Sequence, residues 1–352
     1  RAEDFRALAH EAHAGHHQHP RRMGGTEAGH LQRVRHDAAG GQRQVLQRAV
    51  AALGVLAVTG TVEVWHVYVL AFVFGTGSAF EGLATFGVNL RGLSQSDEPT
   101  YFEDMKQARD RKLKIALHAG QSGPNTLDAE DYERKGWLGP DLLICHYIPA
   151  SDSDAAAMAR TRTPHSFSTL SEMRLSRTGD PRDCLLRMRK AGVLISLSFD
   201  ATSIAPLNMF ETMRVTWNLG MPWKGTPTEN LPEMTFHEAI EMATINGAKA
   251  LGLDKDIGSL KPGKLADIAV FDTRKPQIGV QLRPISTFIS AGRGADARLV
   301  MVNGETVYRD GQFKHLKDSM ATIAEAERVA RALLCDAGLE MRLQPDWRLP
   351  PQ

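Results

Sequence analysis

Three short stretches of this chain run apolar and then stop at a side chain able to hold a metal or carry a proton. Residues 113–121 read LKIALHAGQ, with Leu113, Ile115, Ala116 and Leu117 leading to His118 and a glycine turn. Residues 141–146, DLLICH, end at His146, and residues 193–200, VLISLSFD, end at Asp200. A short apolar run closed by a turn signal reads as a buried strand. A side chain at its last position projects from the carboxyl end of a parallel sheet, where α/β folds build their sites. One strand histidine alone is ordinarily a satisfied core or edge residue. Three such endings point to a shared mouth. Imidazole and carboxylate suit zinc, with iron as the alternative.

The intervening elements must bring these ends together. Helices are expected at 100–112, with Phe102, Met105 and Ala108 inward, at 128–135, at 151–160 behind a Ser151 or Ser153 cap, and at 182–191, closed by Gly192. Residues 83–90 read as a further strand, and 163–168 (TPHSFS, containing His165) as a short strand or loop. Strands alternating with helices imply an α/β chain with a parallel sheet. Residues 235–253 read as one helix. Beyond Gly252 the turn signals crowd: Lys261-Pro262-Gly263 and Asn303-Gly304 separate expected strands at 257–260, 265–272 and 299–303, an antiparallel piece. Residues 318–338 form an amphipathic helix.

Bulk properties exclude several classes. The net charge is +1, with 24% charged and 42% apolar residues in 352, so nothing asks for nucleic acid or anionic lipid. Three dispersed cysteines, Cys145, Cys184 and Cys335, make no zinc-knuckle spacing and no disulfide framework, which fits a reducing cytoplasm. Acidic residues near the start argue against a secretory signal. The apolar run at 62–74 is too short and interrupted to span a membrane. No G-x-S-x-G elbow or P-loop occurs.

Residues 1–75 are foreign to the rest: they lack Ile, Lys, Asn, Ser and Cys, and seven of the thirteen histidines fall within the first 36 positions. A helix is expected at 1–14, another at 44–58 and a strand or two at 61–74. His17 and His19 form an HxH pair, but Gly, Pro and Arg flank it, so a polar loop is the plainer reading. Codons GGG CAT CAC CAG CAT for residues 15–19, read one base later, give Gly-Ile-Thr-Ser-Ile, a strand-like pattern. A frame change between Ala14 and Gly75 is one expectation for this segment; genuine divergence is the other.

The stretches LHAGQ, LICHY and SLSFDAT, the helix TFHEAIEMATINGAKALGL, the turn segment GSLKPGKLADIAVFD and LVMVNGETV together resemble the amidohydrolase superfamily, in its cytosine-deaminase-like and chlorohydrolase-like branch. The resemblance covers about residues 80–315. It implies a distorted TIM-type β/α barrel, here incomplete, with a small partial β-sandwich from the C-terminal segment. The division is then 1–75 anomalous segment, 76–254 barrel, 255–315 sandwich strands and 316–352 helix and tail. His118 and Asp200 would be metal ligands, and His146 would contact substrate or act on the attacking water. Two departures matter. The family's opening HxH strand has no counterpart, and Gln121 stands where a glutamate commonly shuttles a proton. Glutamine keeps the hydrogen bonds but cannot act as acid or base. Glu172, in the expected loop 168–181, is the nearest spare carboxylate; a solvated loop glutamate is the alternative.

A divalent metal at such a site would lower the pKa of water to about 7 for attack on an electron-poor carbon. The expected function is metal-dependent hydrolysis of a carbon–nitrogen bond, not a peptide, in a small cyclic or heterocyclic molecule. His146, Asp200 and Glu172 are the catalytic candidates, and Gln121, His146 and His165 the substrate contacts, with the pocket shaped by residues such as Phe167, Ser203, Asn208 and Trp217. The alternative is a non-catalytic barrel fragment lacking a complete metal site. Without an HxH strand, weak zinc binding is expected. A homo-oligomer is implied by the resemblance alone.

Overall fold

The computed structural model describes residues 87–90, 97–120, 127–202, 204–316 and 318–339. The elements expected within 1–75, the His17/His19 pair, the frame change, Gln121 and Ser203 lie outside the described residues.

Five parallel strands pair in chain order: β1 Gly87–Leu90, β2 Lys114–Ala119, β3 Leu142–His146, β4 His165–Phe167 and β5 Ile195–Leu197. Sequential parallel order requires a crossover between each pair. Helix α1 (Glu98–Asp110) links β1 to β2, α2 (Ala129–Arg134) links β2 to β3, and α3 (Asp152–Thr161) links β3 to β4. Helices α4 (Thr169–Leu175) and α5 (Pro181–Ala191) both lie between β4 and β5. Among the described residues the sheet does not close: it is a distorted, incomplete TIM-type barrel wall.

Local chemistry sets the helix ends. Ser151 and Asp154 form a reciprocal capping box at α3, and Asp180 with Pro181 opens α5. Gly192 closes α5 at φ +80°, a conformation that glycine adopts without side-chain conflict. One face of the sheet is packed: Ile115, Leu117, Leu142, Ile144, Phe167 and Ile195 bury against helix residues such as Met158, Leu185 and Met188. Burying a side chain of this size contributes roughly 1.5–3 kcal/mol.

Two expectations are corrected here. The segment after Ser168 is not all loop, because α4 starts directly after β4. The single helix expected over 235–253 is two, α7 (Phe236–Ala243) and α8 (Ile245–Leu251), after α6 (Met209–Leu219). The break falls at Thr244, whose backbone leaves the helical region (φ −131°, ψ −93°) while its hydroxyl donates to Ile240 O at 2.7 Å.

The second sheet is antiparallel, β6-β7-β8-β9: Ile268–Phe271, Ala297–Val302, Glu305–Arg309 and Gln312–Phe313. The strand expected at 257–260 is a turn instead. Its neighbouring carbonyls, Asp254 O and Ile257 O, are taken by the Lys264 ammonium rather than by a partner strand. Phe210 of α6, Phe271 of β6 and Phe288 of α9 (Pro284–Ala291) pack edge-to-face with ring centroids 4.8–5.2 Å apart and join this sheet to the barrel wall. Helix α10 (Ser319–Asp336) has no buried residue.

Candidate active site

Strand register assigns side chains to faces. His118 pairs with Cys145, and Cys145 with Ser166, so these three share the face opposite the packed helices. His118 is accordingly exposed, while its neighbours Leu117 and Ala119 are buried. Regular alternation would send His146, the partner of Ala119, to the other face. It does not go there. His146 has φ +75° and Tyr147 φ +37°, a left-handed excursion that is rare outside glycine. The imidazole of His146 thereby comes beside that of His118, with ring centroids 5.1 Å apart.

Asp200 ends the stretch beyond β5, also left-handed at φ +64° and exposed. Its carboxylate Oδ2 accepts from the Ser171 hydroxyl of α4. Its charge is felt by both imidazoles, where it opposes the lowering of their pKa values. Desolvation is the larger effect for each and holds both below the ordinary histidine range; the neighbouring His118 lowers His146 further. The structure thus gathers His118, His146 and Asp200, three residues far apart in the chain.

Glu172 joins them from α4. It is fully buried, and its Oε1 accepts from the Ser168 N–H at 2.9 Å and faces His146 Nδ1 at 3.3 Å. Burial first, and the Asp200 charge after it, push this carboxyl well above the usual range, against the Ser168 hydrogen bond. The sequence pointed to Glu172 only by proximity; the helix that aims it was not legible.

His165 is not brought to the open face. It pairs with Ile144 and Ile195, is wholly buried, and its Nε2–H donates to the His146 carbonyl at 2.7 Å. Burial lowers it to about 4. Phe167 lies on the same packed face, Trp217 stacks on Phe236 at 4.3 Å, and Asn208 caps α6. Phe167 and Trp217 are thus strand and helix residues rather than loop residues, and Asn208 ends the loop into α6. Sequence reasoning missed the serines on the open face: Ser166 and Ser168 both bond the Ser198 hydroxyl. The S-F-S and S-L-S alternation, at positions 166–168 and 196–198, was the available signal.

Cys145 also faces this layer, on the same face as His118. Desolvation pushes its thiol up to about 12, so it supplies no thiolate nucleophile. For a metal, the donor chemistry fits: neutral imidazole at His118 and carboxylate at Asp200 are zinc-type donors. The number falls short. Among the described residues no group of three His, Cys, Asp or Glu side chains is placed to hold one ion.

A parallel β/α wall whose carboxyl-end mouth carries histidine and aspartate is the layout of a barrel-type enzyme. The sequence profile of the Amidohydrolase family matches residues 81–307, and the chain belongs to that family. It is 33% identical over 199 residues to a 5'-deoxyadenosine deaminase of Methanothermobacter thermautotrophicus, covering 56% of this chain and 44% of that protein. It is 32% identical over 229 residues to a 5-methylthioadenosine/S-adenosylhomocysteine deaminase of Pelotomaculum thermopropionicum, covering 65% and 50%. This chain therefore spans about half the length, or less, of such relatives. Among solved structures, an adenosine deaminase from Xanthomonas campestris with bound zinc superposes with a TM-score of 0.61 at 18% identity, covering 70% of this chain and 57% of that one. A triazine hydrolase from Arthrobacter aurescens gives 0.61 at 18%, covering 74% and 58%. At such identity these two establish the fold alone.

Proposed function

We infer that this chain belongs to a metal-dependent hydrolase that removes an amino group, or hydrolyses a related carbon–nitrogen bond, on a small heterocyclic substrate. The observation that carries this is the convergence of His118, His146 and Asp200 at the carboxyl ends of β2, β3 and β5. The names of the deaminase relatives support adenine nucleosides and their 5'-thio derivatives as the first substrates to try. His118 and Asp200 would hold the ion, zinc in this reading and iron as the alternative. When bound, it would supply a water that ionises near neutrality. His146, neutral and beside His118, can accept a proton or a hydrogen bond from a polar atom in the mouth. Asp200, oriented by Ser171, can do the same. Gln121 is assigned to substrate contact through its side-chain amide, and Glu172 to holding His146 rather than to contact with the reacting atoms. The division at residues 75, 254 and 315 is the working domain plan. A cytoplasmic, homo-oligomeric protein completes it. Among the described residues no helix is long and apolar enough to cross a membrane.

One observation favours a second reading, a non-catalytic barrel fragment: the described residues place too few donors to hold an ion by themselves. Purified protein is therefore tested for ammonia release from 5'-deoxyadenosine, 5'-methylthioadenosine, S-adenosylhomocysteine, pyrimidines and triazines, with zinc analysed in parallel. Release from an adenine nucleoside that is lost in His118→Ala supports the enzyme. No release from any of them with zinc present would sink it. Weak, substoichiometric zinc is expected; one tightly held ion per chain would overturn that expectation.

A further inference from the structure

The helix that delivers Glu172 has seven residues and contacts the site at consecutive positions: Ser171 reaches Asp200, and Glu172 reaches His146. Both site residues stand on left-handed backbone. Such conformations persist only where the surroundings over-determine them. His146 is held at two points, its carbonyl by His165 and its ring by Glu172.

We propose that Glu172 is a positioning residue that locks His146 in the tautomer with the proton on Nδ1, leaving the Nε2 lone pair for the site. This deepens the functional reading above and rests on it for the role of His146. The argument is one of donors and acceptors. Oε1 of Glu172 already accepts the Ser168 N–H, so it behaves as a carbonyl-type acceptor. A ring nitrogen facing an acceptor must carry the hydrogen. The 3.3 Å separation is longer than the 2.7–2.9 Å usual for a charged pair. It fits two neutral partners. The second oxygen, Oε2, is buried and has no hydrogen-bond partner among the described residues. Among the described residues no cation faces the carboxyl; the titratable groups around it are His146, Asp200 and the thiols of Cys145 and Cys184. A neutral acid with its hydroxyl on Oε2 satisfies this setting, and burial drives Glu172 toward that form.

The consequence is chemical. With Nδ1 occupied, Nε2 on the other side of the ring can only accept: a proton, or a hydrogen bond from a hydroxyl or water. The opposite tautomer would present an N–H and could only donate. Glu172 thus sets the direction of proton traffic at His146 without itself exchanging a proton with substrate.

The test is ¹⁵N NMR of histidine-labelled full-length protein, with the His146 signals assigned by their loss in His146→Gln, alongside kinetics on the active nucleoside. Wild type should show a protonated Nδ1 and an unprotonated Nε2 at His146. Glu172→Gln keeps a carbonyl at Oε1, so tautomer and kcat should stay within about threefold of wild type. Glu172→Leu removes the acceptor; Nε2–H should appear, and kcat should fall by about 10- to 100-fold with KM little changed. Wild-type protein with the proton on Nε2 overturns the proposal. So does Glu172→Gln losing activity while keeping the tautomer, since Glu172 would then move the proton itself. If Glu172→Leu does not fold, the wild-type and Gln measurements decide alone. A correct tautomer in a protein that turns over no substrate would defeat the functional reading and leave the brace intact.

Discussion

Both sheets of this protein send the chain into left-handed backbone, and they do so on different residues. In the antiparallel sheet the positions are Asn303 and Gly304, then Asp310 and Gly311, each pair joining two strands. These are the residues that tight hairpins select, because Asn, Asp and Gly tolerate φ > 0. In the parallel sheet the positions are His146, Tyr147 and Asp200, at strand ends that need no hairpin. Connectivity explains the first set. The second turns side chains into one mouth and is held by hydrogen bonds: His165 and Ser171 donate to it, and Ala119 O accepts from the Tyr147 N–H at 2.7 Å. Backbone strain without a topological reason marks the working end of the molecule.

The largest effect that would sharpen this contrast is on turnover. His146→Ala should lower kcat by about 10²- to 10⁴-fold, the usual range for a general acid–base group, with little change in far-UV circular dichroism. Turnover within threefold of wild type would remove His146 from the site. Next comes packing. Ile144 is wholly buried and Val302 is 40% exposed. Ile144→Ala should cost about 2–5 kcal/mol in urea denaturation and Val302→Ala under about 1 kcal/mol. Equal costs would erase the distinction between the packed wall and the open sheet.

A pH series tests the buried histidines. His165 is held near 4 and His146 also below its ordinary value, both by burial first. The unfolded chain, with histidine near 6.5, then binds more protons than the native one in between, so stability falls as pH drops from about 6.5 toward 4. Glu172, raised in the native state, works in the opposite sense, since its protonation favours the fold as pH falls. His165→Asn should reduce the loss of stability between pH 7 and 4.5 by up to about 3 kcal/mol relative to wild type. An unchanged pH slope would mean that His165 takes up its proton as readily in the native state as in the unfolded chain. The smallest effect concerns the strained positions themselves. Gly304→Ala should cost about 1–2 kcal/mol from conformation alone, since an added Cβ meets nothing closer than Ala266 at 4.0 Å. Asp200→Asn should cost under about 0.5 kcal/mol, because asparagine accepts that conformation. A larger loss at Asp200 would show that its charge, not its backbone, stabilises the strand end.

Much of this was legible in the residues. Apolar runs with turn punctuation located β2, β3 and β5, because buried strands must exclude polar side chains along their length. Ser151 and Gly192 marked helix ends, because orphan backbone groups select those residue types. Asn303-Gly304 announced a hairpin for the same local reason. The amidohydrolase assignment followed from motifs spread over the same segments, and the family profile bears it out. These are short-range constraints, and a chain carries them in its order.

Tertiary structure decided the rest. Which way His146 faces depends on two left-handed residues that no periodicity announces. Glu172 reached the site through a short helix hidden in a stretch read as loop, and His165 left it because register with Ile144 and Ile195 assigned it to the packed face. Each outcome turns on which side of a pleated sheet a side chain takes, and a single residue of backbone conformation reverses that choice.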